Sequence, residues 1–279
     1  MIGLGDIDGG KKTLSLARKF STELGDQKEE AKSLMLFSSI QFREGESEKA
    51  RRNNEQALEL YKEIGDLSGQ SRCLRNLAFN GIRSGQIKNV EQYAHQALEL
   101  ARQAGDHRSE ASSLNVLGII SNDVSRTRDN YKQALEIFST IGDVSGQKTI
   151  ANNLSLMFWR LGLYGQANYY ASIAAEGTRA LGNKQGLAVA LDGLGRSYFE
   201  LGDLDQAEAT FQEGLSLSRE YADAFDIAAC LMGLARIANA RGNYQTAIDY
   251  FKEQIELLEG KGDVPETAVI QAWLGAVYL

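Results

Sequence analysis

The sequence predicts an all-α solenoid of about fourteen helices, folded back on one another in antiparallel pairs. Three observations predict it. A helix-ending dipeptide recurs seven times, at Gly25-Asp26, Gly65-Asp66, Gly105-Asp106, Gly142-Asp143, Gly182-Asn183, Ala222-Asp223 and Gly262-Asp263. Five of the six intervals are 40 residues and one is 37; a fixed period of that size marks a repeat array. Between the dipeptides apolar residues fall at helical spacing, and a single proline in 279 residues leaves the helices uninterrupted.

The elements follow in order. Leu4-Gly5-Asp6-Ile7-Asp8 aligns with Leu201-Gly202-Asp203-Leu204-Asp205, the turn inside a repeat. Residues 8–24 are therefore expected to be a second helix that lacks its first. Six complete hairpins follow over 26–64, 66–104, 106–141, 143–181, 183–221 and 223–260. A first helix without its second, 265–279, closes the chain, with Pro265 near its start where proline is tolerated. At each junction glycine supplies a left-handed cap and aspartate starts the next helix.

The hairpin 183–221 is the clearest. Leu191, Leu194, Gly195 and Tyr198 share one face of its first helix, Gly202-Asp203 breaks it, and Ala207, Phe211 and Gly214 repeat the spacing on the second. Asp203 with Gln206 forms a capping box. Leu77-Ala78, Leu117-Gly118, Leu154-Ser155, Leu234-Ala235 and Leu274-Gly275…Tyr278 keep a small residue after leucine; Phe37-Ser38 is the weakest copy. Ala50, Ala167 and Ala247-x3-Phe251 recur in the second helices. The third hairpin is three residues short around 121–126 and has no glycine there. It is expected to turn an irregular corner, with Tyr131 in the aromatic slot.

The pattern Leu194, Gly195, Tyr198, Ala207 and Phe211 resembles the signature of the tetratricopeptide repeat. The resemblance runs in register through the whole chain, although the unit has about six extra residues and lacks the usual closing proline. It implies a right-handed superhelical solenoid whose first helices line an inner wall. Arrays of this period are similar to those of polarity scaffolds, kinesin light chain, peptide-pheromone receptors and bacterial regulators.

Composition narrows the function classes. The chain is 43% apolar and 24% charged, as in a folded soluble protein, and carries a net charge of −7, which disfavours nucleic acid and anionic lipid. No apolar run is long enough to span a bilayer and no secretory signal is present. Cys73 and Cys230 lie on apolar faces and are expected to be buried and reduced, which fits a cytoplasmic protein. His95 and His107 stand apart from other ligand residues, no phosphate loop or nucleophile elbow occurs, and no metal, cofactor or enzymatic activity is expected. Tyr164, Tyr169 and Tyr170 are expected to pack between hairpins or to decorate the outer surface.

The two half-hairpins at the ends suggest a segment of a longer protein. Alternatively, the complementary ends pair head to tail between copies. Positions flanking the Leu-Gly pair select the residues of the inner wall. They are Arg72, Arg75, Asn76 and Phe79; Asn115 and Asn122; Asn152, Asn153, Trp159 and Arg160; Asp192, Arg196 and Phe199; and Arg236 and Asn239. Asparagine can donate to and accept from a peptide backbone, and arginine can hold a carboxylate with two hydrogen bonds. Such a wall favours an extended peptide or partner segment bearing an acidic group. The resemblance further implies that Asn76, Asn115 and Asn153 grip the peptide backbone. Arg196 and Arg236 have acidic neighbours that could neutralise them instead. The other function class is a self-assembling or regulatory arm of a larger signalling or transcription-regulating protein.

Overall fold

The structure is a computed structural model that describes residues 7–85, 89–221 and 223–259. The described residues form thirteen helices and no strand. They group into two compact units, Met1–Gly142 and Asp143–Leu279. The closing first helix expected over 265–279, with Pro265, Trp273 and the Gly262-Asp263 junction, lies outside the described residues, as does Ala222.

The first unit contains α1 (Ile7–Leu24), α2 (Gln27–Arg43), α3 (Ser47–Glu63), α4 (Leu67–Ser84), α5 (Val90–Gln103), α6 (His107–Ile120) and α7 (Val124–Thr140). The second contains α8 (Val144–Arg160), α9 (Tyr164–Ala180), α10 (Lys184–Glu200), α11 (Leu204–Tyr221), α12 (Ala224–Ala240) and α13 (Tyr244–Glu259). Within each unit every helix packs on the next, and first helices also touch across hairpins: α4 on α6 in the first unit, α8 on α10 and α10 on α12 in the second. No two second helices pack as closely among the described residues. The first helices thus form one wall of each unit.

The junction chemistry is as the sequence implies. Gly25, Gly65, Gly105, Gly142 and Gly182 all have φ between 64° and 70°, a conformation glycine adopts without steric cost. The next residue then caps the following helix: Asp26, Asp66, Asp106, Asp143 and Asn183 each accept from the backbone N–H three residues on. Asp223 accepts from both Phe225 and Asp226. Inside the hairpin, the Gln206 N–H donates to Asp203 at 3.2 Å.

Between the paired helices a small residue faces an aromatic ring. A Cβ added at Gly195 would lie 2.9 Å from the ring of Phe211, and one added at Gly233 of the next hairpin 2.4 Å from the same ring. Phe211 is therefore clamped between two glycines and is 1% exposed. Tyr131 fills the equivalent slot of the short hairpin, 2.4 Å from the Cβ position of Gly118. Where serine replaces the glycine its hydroxyl finds the facing helix: Ser38 donates to the Ala50 carbonyl at 2.8 Å and Ser155 to that of Ala167 at 2.9 Å. The three missing residues shorten α6, which ends at Ile120; Ser121 is extended, and Asp123 caps α7 through the Ser125 and Arg126 N–H groups.

Both cysteines are buried and free; burial pushes each thiol up to about 12. Tyr61 is fully buried against Gly69, and its hydroxyl has no hydrogen-bond partner among the described residues. An unsatisfied buried hydroxyl costs about 1–3 kcal/mol. Tyr61→Phe is therefore expected to leave stability unchanged or raise it by about 1 kcal/mol in urea unfolding. A loss above that size would mean that the hydroxyl is satisfied.

Candidate functional site

The residues singled out on the first helices divide into three environments, set by what each packs against.

In the first unit, Arg72 and Arg75 lie on α4, half-buried. No carboxylate forms an ion pair with either of them among the described residues, and Arg72 Nε is buried without a hydrogen-bond partner. Arg75 reaches only the Asn76 side chain, Nη2 to Oδ1 at 3.1 Å. Burial and then the neighbouring Arg72 guanidinium hold Arg75 below the ordinary arginine value. The nearest carboxylates are occupied. Asp66 accepts from the Gly69 N–H at 2.8 Å and pairs with Lys28 at 3.0 Å; Asp106 accepts from the Ser68 and Ser109 hydroxyls and the Ser109 N–H. Asp66 and Asp106 attract Arg72, and Asp106 attracts Arg75, without forming an ion pair, so an anion would add direct hydrogen bonds to two like charges that are partly out of water.

Asn76 turns its amide towards Asn54 of the preceding hairpin, at a long 3.5 Å. Asn115 is half-buried on α6 and Asn122 is exposed in the corner after it. Asn122 borders a hollow of about 730 Å³ with an apolar floor of Ile82, Val90, Leu117 and Ile120, opposite His95 and Arg126. Phe79 packs its ring 6.2 Å from Phe42, over which Arg83 also lies.

In the second unit the two arginines on the first helices after α8 are neutralised. Arg196 holds Asp192 on its own helix at 2.9 and 3.1 Å. Arg236 donates to Glu200 of the preceding hairpin at 3.1 Å and lies 4.3 Å from the centroid of Phe199. Burial raises the Asp192 carboxyl above its ordinary range, with Arg196 opposing it. On α8, Asn152 and Arg160 are exposed and Asn153 is half-buried; Asn239 is half-buried on α12. Trp159 is half-buried, its indole Nε1 out of water and without a hydrogen-bond partner among the described residues. On the second helices, Tyr170 stacks on Phe158 at 5.6 Å, Tyr169 meets Tyr170 edge-on and is itself exposed.

Three further side chains on this wall escape a reading based on polar residues. Leu156, Val189 and Phe225 are 46%, 53% and 55% exposed. Their signal is a large apolar residue at a position where the repeat does not bury one. No cluster of three or more metal-ligating residues occurs among the described residues, and no described helix is long and apolar enough to cross a membrane.

Two tetratricopeptide-repeat family models match the chain, over residues 148–220 and 229–265. No curated protein matches it. Among solved structures, it is similar to a signal transduction ATPase with numerous domains from Pyrococcus horikoshii that carries a tetratricopeptide repeat sensor. That match has a TM-score of 0.77 and 16% identity and covers 94% of this chain but 40% of the other, so this chain spans about two-fifths of that protein's length. It is similar to a Rap protein complexed with competence and sporulation factor (TM-score 0.61, 16% identity, 95% of this chain and 81% of the other). It is also similar to the APC/C hetero-tetramer Cut9-Hcn1 (TM-score 0.68, 15% identity, 96% and 46%). At these identities the likeness is one of fold.

Proposed function

We propose that this chain, a tetratricopeptide-repeat array, is a protein-interaction scaffold whose first-helix wall holds an extended partner segment carrying an acidic group. The observation that carries the acidic preference is the Arg72–Arg75 pair: two half-buried guanidiniums without an ion-pair partner among the described residues. A carboxylate placed between them would form charge-assisted bonds, and each hydrogen bond to a charged group contributes about 1.5–3 kcal/mol. In this reading Asn115, one repeat further along the first helices, meets the segment's backbone. The similar fold of a Rap protein complexed with competence and sporulation factor supports the general mode. The same wall would serve an array working alone or as the arm of a larger signalling protein.

The test is selection from a random twelve-residue peptide library on wild-type protein and on the Arg72→Gln/Arg75→Gln variant. Wild type is expected to enrich peptides with an aspartate or glutamate. The variant should bind those peptides at least about tenfold more weakly by fluorescence anisotropy, since one lost charged hydrogen bond is worth that much. Equal affinity for both proteins would remove the arginines from the site.

A further inference from the structure

In the second unit an ion pair crosses each gap between successive second helices, Arg179–Glu213 from α9 to α11 and Arg219–Glu253 from α11 to α13, at 2.8 and 2.6 Å. The arginine stands three residues before the junction that closes its own hairpin, and the glutamate nine residues before the following one. On α3 and α5 of the first unit those two positions are Lys62 and Gln96, and Lys62 turns back to Glu59 of its own helix at 2.8 Å. Here the gap is a hollow of about 650 Å³. Buried Leu58, Leu74 and Leu77 form its floor, and half-buried Tyr93 and Leu100 its wall. A further hollow of about 330 Å³ continues it past Leu77 and Tyr93 towards the start of α3. At 3.6 residues per turn, Leu74 and Leu77 lie on the side of α4 away from Arg72 and Asn76, so the groove is separate from the first-helix wall.

Four carboxylates border this groove, those of Glu48, Glu55, Glu59 and Glu99, against two cations. Both cations are held within α3: Arg51 pairs with Glu48 and Glu55 at 2.6 and 2.5 Å, and Lys62 with Glu59. Glu99 on α5 accepts from the Gln103 amide at 2.8 Å and forms no ion pair among the described residues. We infer that this groove docks a basic segment of a partner protein through a lysine or arginine side chain, its methylene stem on Leu74 and Leu77 and its charged head at Glu99. An apolar floor beneath a net negative rim matches both parts of such a side chain at once, stem and head. An uncharged side chain would take water from the rim and leave Glu99 without a counter-ion. An acidic one would meet like charge, with no unpaired cation on the rim among the described residues. The groove is therefore a second surface, opposite in charge preference to the Arg72–Arg75 pair and independent of it.

The experiment uses the full chain and the same twelve-residue library. Wild type is expected to enrich, besides acidic peptides, a class that carries lysine or arginine. That class should bind Glu99→Lys at least about fivefold more weakly by fluorescence anisotropy, since the substitution replaces an attraction by a repulsion. Glu136→Lys makes the same change in net charge at an exposed site on α7 and should bind like wild type, as should Arg72→Gln/Arg75→Gln. Replacing the peptide's lysine or arginine by 2,4-diaminobutyric acid keeps a cation on a shorter stem and should weaken binding to wild type by a similar factor. Glu99 and Glu136 are both exposed, so circular dichroism and melting temperature should match wild type and report on folding independently. Unchanged affinity for Glu99→Lys, or an equal loss with Glu136→Lys, would reduce the effect to general charge attraction and overturn the groove. Undiminished binding of the short-stem peptide would overturn it too, and a loss with Arg72→Gln/Arg75→Gln would place these peptides on the first-helix wall. If no basic class is enriched the groove fails, while the acidic class and its dependence on Arg72 and Arg75 are judged separately.

Discussion

Gly233→Val is expected to destabilise the second unit by about 3 kcal/mol or more, at the upper end of what overpacking costs. The first added carbon alone would stand 2.4 Å from Phe211 Cζ and 2.5 Å from Cε2. The ring has little room to retreat, because it is 1% exposed and a Cβ position at Gly195 also lies only 2.9 Å from it. The sign of the alanine variant is the sharper test. In an open helix, glycine to alanine gains about 1 kcal/mol; here Gly233→Ala should lose stability in urea unfolding followed by circular dichroism. Trimming the ring in that background, Gly233→Ala/Phe211→Leu, should recover part of the loss, since touching residues couple. A neutral or stabilising Gly233→Ala would mean that the hairpins are not held in contact through this ring.

The second large effect concerns the caps. Asp66→Ala/Asp106→Ala is expected to cost the first unit about 3 kcal/mol, a helix cap being worth about 1 kcal/mol and more where its carboxylate is also hydrogen-bonded by side chains. Asp106 holds Ser68 of the preceding hairpin as well as its own helix start, so it ties two hairpins together. The loss should be pH-dependent. Burial pulls both carboxyls up, but their hydrogen bonds, from Gly69 and Lys28 for Asp66 and from Ser68 and Ser109 for Asp106, hold the net value below the ordinary 3.8. A carboxyl lowered on folding contributes stability above its unfolded pKa and loses it as pH falls through the folded value. Wild type should therefore lose stability below about pH 4, and the double variant should lose less over the same interval. Equal slopes for the two proteins would show that these carboxylates are not the groups protonated.

The helical order and its junctions were legible because their signals are local. A glycine that must take positive φ and an aspartate that must cap the next turn leave the same two letters every 40 residues. Tyr131 was legible despite the deletion, because Gly118 and an aromatic residue still stand on facing helices. The candidate site was legible only in outline. Sequence spacing puts Arg72, Arg75, Arg196 and Arg236 on equivalent faces, but whether each charge is free depends on neighbours one hairpin away. Glu200 reaches Arg236 from 36 residues off, while among the described residues no carboxylate forms an ion pair with Arg72. Asn76 donates to Asn54 of the preceding hairpin at 3.5 Å, a neighbour that spacing alone does not announce. Leu156, Val189 and Phe225 are exposed apolar positions, which a search for polar ligand groups passes over. The ion pairs Arg179–Glu213 and Arg219–Glu253, at 2.8 and 2.6 Å, repeat with the 40-residue period at both partners and join successive second helices, yet each letter alone is an ordinary surface charge.

The ring held between Gly195 and Gly233 acts as a shim. Its thickness bears directly on how closely α10 and α12 approach, since Gly195 lies on the one and Gly233 on the other. A leucine or methionine at position 211 would change the separation of α10 and α12. The spacing of neighbouring first helices can thus be tuned through a side chain that is itself buried.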